Sequence, residues 1–236
     1  MQTNKTSEND ALIDERIIQP VSRRKFLGYV GATSALLATA ASCKKDNNNN
    51  SGVDLGSGDV GILNYAYALE QLEAAFYVQV VATPYSGIST LEMEYMTDIR
   101  NHEVAHREFF KAAITAAAPS SIIPSLSVDF STINFTSRAS VLATAKAFED
   151  LGVTAYNGAG QLISTTGNGP TYLTLAGKIV SVEARHAAII AELITPNSFA
   201  NTTDANGLDG ARTPAEVLAI AGTYITTKIN ASNLPS

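Results

Sequence analysis

The chain has 236 residues, enough for one core-bearing domain with extra segments but not for several. Apolar residues make up 45% and charged residues 16%, a globular balance that excludes a disordered protein. Residues 1–42 hold five Lys and Arg against four Asp and Glu, and the rest hold eleven against eighteen; an acidic body without a basic stripe excludes nucleic acid as partner.

Residues 1–42 read as a signal peptide. Ser22-Arg23-Arg24-Lys25-Phe26-Leu27 precedes an apolar run from Phe26 to Ala41, which is too short and too rich in Gly, Ala and Thr for a membrane span of roughly 20 apolar residues. The Ser-Arg-Arg-x-Phe-Leu pattern resembles the twin-arginine export signal, whose pathway carries folded proteins. Cys43 is the only cysteine, so no intrachain disulfide or thiolate cluster can form. Ala40-Ala41-Ser42-Cys43 resembles a lipoprotein cleavage box, with Ala where Leu is usual. Two outcomes are open there: a lipidated Cys43 that anchors the protein to a membrane, or simple cleavage and release. Residues 43–58, with Lys44-Lys45-Asp46 and four asparagines, read as a flexible tether.

Residues 59–194 read as four helices. Ile62, Leu63, Ala66, Leu69, Leu72, Ala75 and Phe76 recur at three and four residues and predict a helix over 59–82. Thr83 to Gly87 breaks it, and Ser89-x-x-Glu92 is a capping box that opens a second helix over 90–118. Residues 119–136 are too long and Pro/Ser-rich for a helical hairpin turn and predict a crossover lying against the bundle. Ser137 caps a third helix ending near Ser164, and Pro170 opens a fourth ending near Ile194. Within 195–236, Thr213-Pro214-Ala215-Glu216 opens a fifth helix to about Ile229. The fold class is therefore all-α: a four-helix bundle with one long crossover and a C-terminal helix.

Glu103-Val104-Ala105-His106 lies mid-way along the second helix and Glu183-Ala184-Arg185-His186 mid-way along the fourth. Residues three apart on a helix are neighbours, so each Glu and His can reach one ion together. The first and third helices each add a central carboxylate among apolar neighbours, Glu70 and Glu149. Burying ionised carboxylates costs several kcal/mol each unless a cation compensates, and divalent metal is the economical cation. Tyr77 and Tyr156 stand seven residues beyond these glutamates, two turns on and on the same face. Glu149 and Tyr156 follow Glu70 and Tyr77 by 79 residues, and Glu183 and His186 follow Glu103 and His106 by 80, as an internal duplication of a helix pair would give. Glu73 has Gly152 as its counterpart and reads as a surface group or an outlying partner of the site. His102 has Val182 and reads as structural, while Asp98, Asp150 and Arg185 could orient ligands.

Glu, then Glu-x-x-His, then Glu, then Glu-x-x-His on four helices resembles the di-metal carboxylate signature of the ferritin-like superfamily. The stretch Asn64 to Tyr77 looks like its exported, desiccation-related branch. The resemblance implies terminal ligands Glu70 and Glu149, bridging ligands Glu103 and Glu183, and one ion each for His106 and His186. Carboxylates with one imidazole per ion suit two iron or manganese ions, although the spacing leaves copper open. The expectation is an exported protein, periplasmic or anchored to the cell envelope, that is a monomer or dimer and reacts with dioxygen or peroxide. Tyr77 and Tyr156 are its candidate catalytic groups, by hydrogen-bonding a ligand or carrying electrons; packing of an amphipathic ring is their plainer role. Metal binding without turnover, and a structural stress-related role, are the competing functions.

Overall fold

The computed structural model describes residues 52–236. Ser89 starts the second helix as its spacing requires: its side chain accepts from Glu92 N while the Glu92 side chain returns to the Ser89 backbone. The same reciprocal box closes at Thr213 and Glu216. Each such cap stabilises its helix by about 1 kcal/mol. In chain order the elements are β1 (Val53–Asp54), α1 (Gly58–Ala82), α2 (Thr90–Ala117), α3 (Arg138–Gly160), α4 (Gly169–Ile194), α5 (Pro214–Ala221) and β2 (Ile229–Asn230). Helix α1 packs along α2, α3 along α4, and α1 meets α3, so two helical hairpins form the bundle. The crossover over 119–136 joins them.

Helix α1 is sheathed on nearly every side, with 17 of its 25 residues buried. Its buried amides explain how. Asn64 donates to Leu55 O at 3.0 Å and Ser121 O at 2.7 Å and accepts from Ile123 N, while Gln71, two turns on, accepts from Leu126 N at 2.8 Å. These side chains give the crossover backbone the partners it needs to lie against the core. Phe76 packs on Phe130 and Phe135 of the crossover and on Phe148 of α3, with ring centroids 5.1–5.9 Å apart, and Tyr224 packs edge-on to Phe148. One aromatic cluster thus joins the crossover and the C-terminal segment to the bundle.

Three boundaries differ from the sequence expectation. Residues 1–51, with the expected signal peptide, Cys43 and most of the tether, lie outside the described residues. The end of the tether is ordered: Val53 and Asp54 pair in parallel with Ile229 and Asn230. The fifth helix stops at Ala221 rather than near Ile229, because the chain turns at Gly222 and Ile225 bridges to Val128 of the crossover. Helix α3 ends at Gly160, four residues early. Near that end the main chain of Arg212 lies against Gly158, where a Cβ would sit 1.8 Å from its carbonyl oxygen, and Arg212 N donates to Thr154 O at 3.0 Å. Only glycine admits that approach. Among the described residues no helix is long and apolar enough to cross a membrane.

Candidate metal centre

The apolar stripes of α1 and α3 carry Glu70 and Glu149 into the core, and the central turns of α2 and α4 carry the two Glu-x-x-His pairs towards them. Glu70, Glu103, Glu149 and Glu183 are all fully buried. His106 Nδ1 lies 2.8 Å from Glu183 and 3.5 Å from Glu70. His186 Nδ1 lies 2.8 Å from Glu103 and 3.4 Å from Glu149. Each imidazole therefore faces the bridging candidate of the opposite hairpin and the terminal candidate of its own.

Two overlapping clusters result, one of Glu70, Glu103, His106 and Glu183 and one of Glu103, Glu149, Glu183 and His186. Their donor atoms lie within 4.8 Å of one another, and Glu103 and Glu183 belong to both. His106 Nδ1 and Glu183 Oε1, although close, have no hydrogen-bond partner, and neither do Glu70 Oε2, both oxygens of Glu103 or Glu149 Oε2. Atoms that converge without bonding one another, all buried, are what a shared cation would need. Left as they are, several buried polar atoms would each cost about 1–3 kcal/mol. The residues present therefore fit a metal.

Protons balance the charge where no cation does. Burial opposes charge on both imidazoles, but the surrounding carboxylates push His106 and His186 up to about 12. Burial would also raise Glu103, yet the two imidazoles beside it bring it down to about 2. Glu70 is pushed well up by burial and by its acidic neighbours, and Glu149 to about 8, burial again the largest cause. An ion entering the cluster must displace the protons on the imidazoles, so binding releases protons.

The tyrosines cross between the hairpins. Tyr77 of α1 donates to Glu149 Oε1 of α3 at 2.5 Å, and Tyr156 of α3 donates to Glu70 Oε1 of α1. Each holds the terminal glutamate of the other half. Burial and the adjoining carboxylates push both phenols well up, so they stay protonated donors.

Two residues stand closer to the site than the sequence reading placed them. His102, read as structural, has Nδ1 2.9 Å from His186 Nε2, the nitrogen facing away from the glutamates, with the rings stacked at 5.2 Å. It is a partner that fixes the orientation of His186. Glu73 is 4% exposed, which overturns the surface reading. Its signal was its place three residues after Glu70 and four before Tyr77, on the same stripe. Asp98 and Arg185 are exposed and Asp150 pairs with Lys146 at 2.5 Å, so these three do not join the clusters.

A four-helix bundle around a buried carboxylate and imidazole cluster fit for metal is the class of protein that fold and site define. A family model described as a ferritin-like domain matches residues 58–196, and the chain belongs to that family. A search of curated proteins returns no match.

Proposed function

We propose that the chain is an exported metalloprotein that holds two iron or manganese ions in these clusters and uses them in redox chemistry with dioxygen or peroxide, protecting the cell envelope from oxidants. The observation that carries this reading is the sharing of Glu103 and Glu183 between two otherwise separate donor sets. Carboxylates common to both sets keep two cations close together. A bound pair of such ions supplies two one-electron changes at one place. The donor set, three carboxylates and one imidazole for each position, suits iron or manganese better than a closed zinc site.

The chain's own groups orient and protect that pair. Glu70 and Glu149 complete the two positions, and Tyr156 and Tyr77 hold them in place by donating to one oxygen of each. As hydroxyls that keep their protons, the tyrosines are also the catalytic candidates, able to hold a proton beside the reacting centre. Burial of all four glutamates keeps bulk water out and strengthens the electrostatics within. The twin-arginine-like motif and the Cys43 box support export to the periplasm or a lipid-anchored place on the envelope, as a monomer or dimer. The Asn64 to Tyr77 stretch supports the desiccation-related branch.

The test is to load the purified chain separately with iron and with manganese, then add hydrogen peroxide or dioxygen. Turnover in one metal form, abolished in Glu103→Ala, is the expected result. A fully loaded protein inert to both oxidants in both forms would leave metal binding without turnover as the function.

A further inference from the structure

Beyond α4 the chain returns over α3 and α4 as a long loop, residues 195–213, that is fastened at both ends. At the near end the Glu192 carboxylate accepts from Asn197 N at 2.9 Å and Ser198 N at 3.1 Å, and Ser198 Oγ donates to Ala191 O at 2.8 Å. Asn197 takes a φ of 69° to make that turn, a left-handed conformation uncommon outside glycine. The turn leaves the Phe199 ring 64% exposed. At the far end Asn157 Nδ2 donates to Gly210 O at 3.0 Å, and Arg212 donates to Thr154 through both its main chain and its guanidinium. Between loop and helices lies a cleft of about 430 Å³, inside the roughly 300–1,000 Å³ that small-ligand sites occupy. Ala184, Ala187 and Ala188 of α4 line it with methyl groups and Phe199 borders it, while Asp209, Arg212 and the hydroxyls of Thr202 and Thr203 supply its polar side.

These groups select among ligands. Phe199 offers a flat apolar surface, which suits the C–H face of another ring. Asp209 offers two acceptor oxygens, Arg212 a fork of N–H donors, and the threonines hydroxyls that both donate and accept. Asp150, also in the wall, is already paired with Lys146, so one open acid faces one guanidinium and the charges balance. Asp209 is exposed, and ion pairs in water are worth little, so a ligand held by its charges gains little here. A neutral ring rich in hydroxyls uses all of these groups at once. We propose that the cleft binds a neutral saccharide of one or two rings, its apolar face on Phe199 and its hydroxyls on Asp209, Arg212, Thr202 and Thr203. This site stands apart from the metal pair: Ala184 and Ala187 each follow a cluster residue, Glu183 and His186, and so lie about 100° round α4 from it.

The experiment titrates the full chain calorimetrically with maltose, cellobiose and N,N′-diacetylchitobiose, and with the amino acid glycine and inorganic phosphate as charged probes, beside the variants Phe199→Ala and Asp209→Asn. Both residues are exposed, so neither variant opens the core, and circular dichroism checks the fold. The expected result is that at least one of the saccharides binds at a single site per chain, on the order of tenfold more weakly in Phe199→Ala and more weakly also in Asp209→Asn. Failure of all three saccharides to bind, or equal binding by a folded Phe199→Ala, overturns the proposal. Binding of glycine or phosphate and of no saccharide overturns it too, and gives the cleft to a charged ligand.

Discussion

The α1–α2 and α3–α4 hairpins repeat the same four chemical positions, two glutamates, a histidine and a tyrosine, but surround them differently. In the first, α1 is wrapped by the crossover through Asn64 and Gln71 and carries the extra acid Glu73. In the second, α3 leaves Gly152 bare for that acid and gives Gly158 to the main chain of Arg212, while α4 receives His102 of α2 against His186. A duplicated donor set keeps its register because an ion needs all its ligands at once. The positions around it are free to diverge, and they did so in ways that differentiate the two halves.

The largest effect that sharpens this comparison separates shared from unshared ligands. Glu103→Ala or Glu183→Ala strikes both clusters and is expected to abolish binding of both ions, whereas Glu70→Ala or Glu149→Ala is expected to leave one ion per chain. Elemental analysis of dialysed protein reads the difference, and equal loss in all four variants would break the assignment of shared roles. A smaller effect tests the crossing of the hairpins. Tyr77→Phe is expected to weaken the ion held by Glu149 and His186, and Tyr156→Phe the ion held by Glu70 and His106, each by about tenfold. An effect confined to the tyrosine's own hairpin would contradict the geometry.

The smallest effect concerns the seam between the halves. Arg138, at the start of α3, donates to Glu92 of α2 at 2.7 Å and to Leu193 O of α4 at 2.8 Å. Burial works to raise the Glu92 carboxyl, but Arg138 and the Ser89 cap together hold it below the usual carboxylate range. A depressed carboxylate stabilises the fold above its unfolded pKa, and that contribution is lost as pH falls through the folded value. Glu92→Gln should therefore cost about 1 kcal/mol near neutral pH and progressively less below about pH 4 in denaturant unfolding.

Much of the fold was legible because its signals are local. The Ser89 and Thr213 boxes, Pro170 and the apolar spacing of Ile62 to Phe76 fix helix starts and faces by contacts within a few residues. What escaped depends on distant partners. Val53 and Asp54 looked like tether because their pairing residues lie some 176 positions away at Ile229 and Asn230. The fifth helix was overrun because the Ile225 to Ile229 stretch continues an apolar pattern, although its β-branched residues favour extended backbone. At the site, the pairing of residues three apart located the candidate ligands, but the crossing of Tyr77 and Tyr156 depends on how the hairpins dock. Repeat logic left Glu73 open between a surface group and an outlying partner of the site, because its burial depends on the space beside Gly152 in the other hairpin, which spacing along the chain does not show.

The central claim is that one buried cluster holds two ions through shared glutamates, and the direct test is to count metal in the full chain after loading with iron(II) or manganese(II) and dialysis. Two ions per chain, bound more tightly as pH rises because His106 and His186 must lose their protons, is the predicted result. One ion or none at saturation, in a folded protein with both metals, would contradict it.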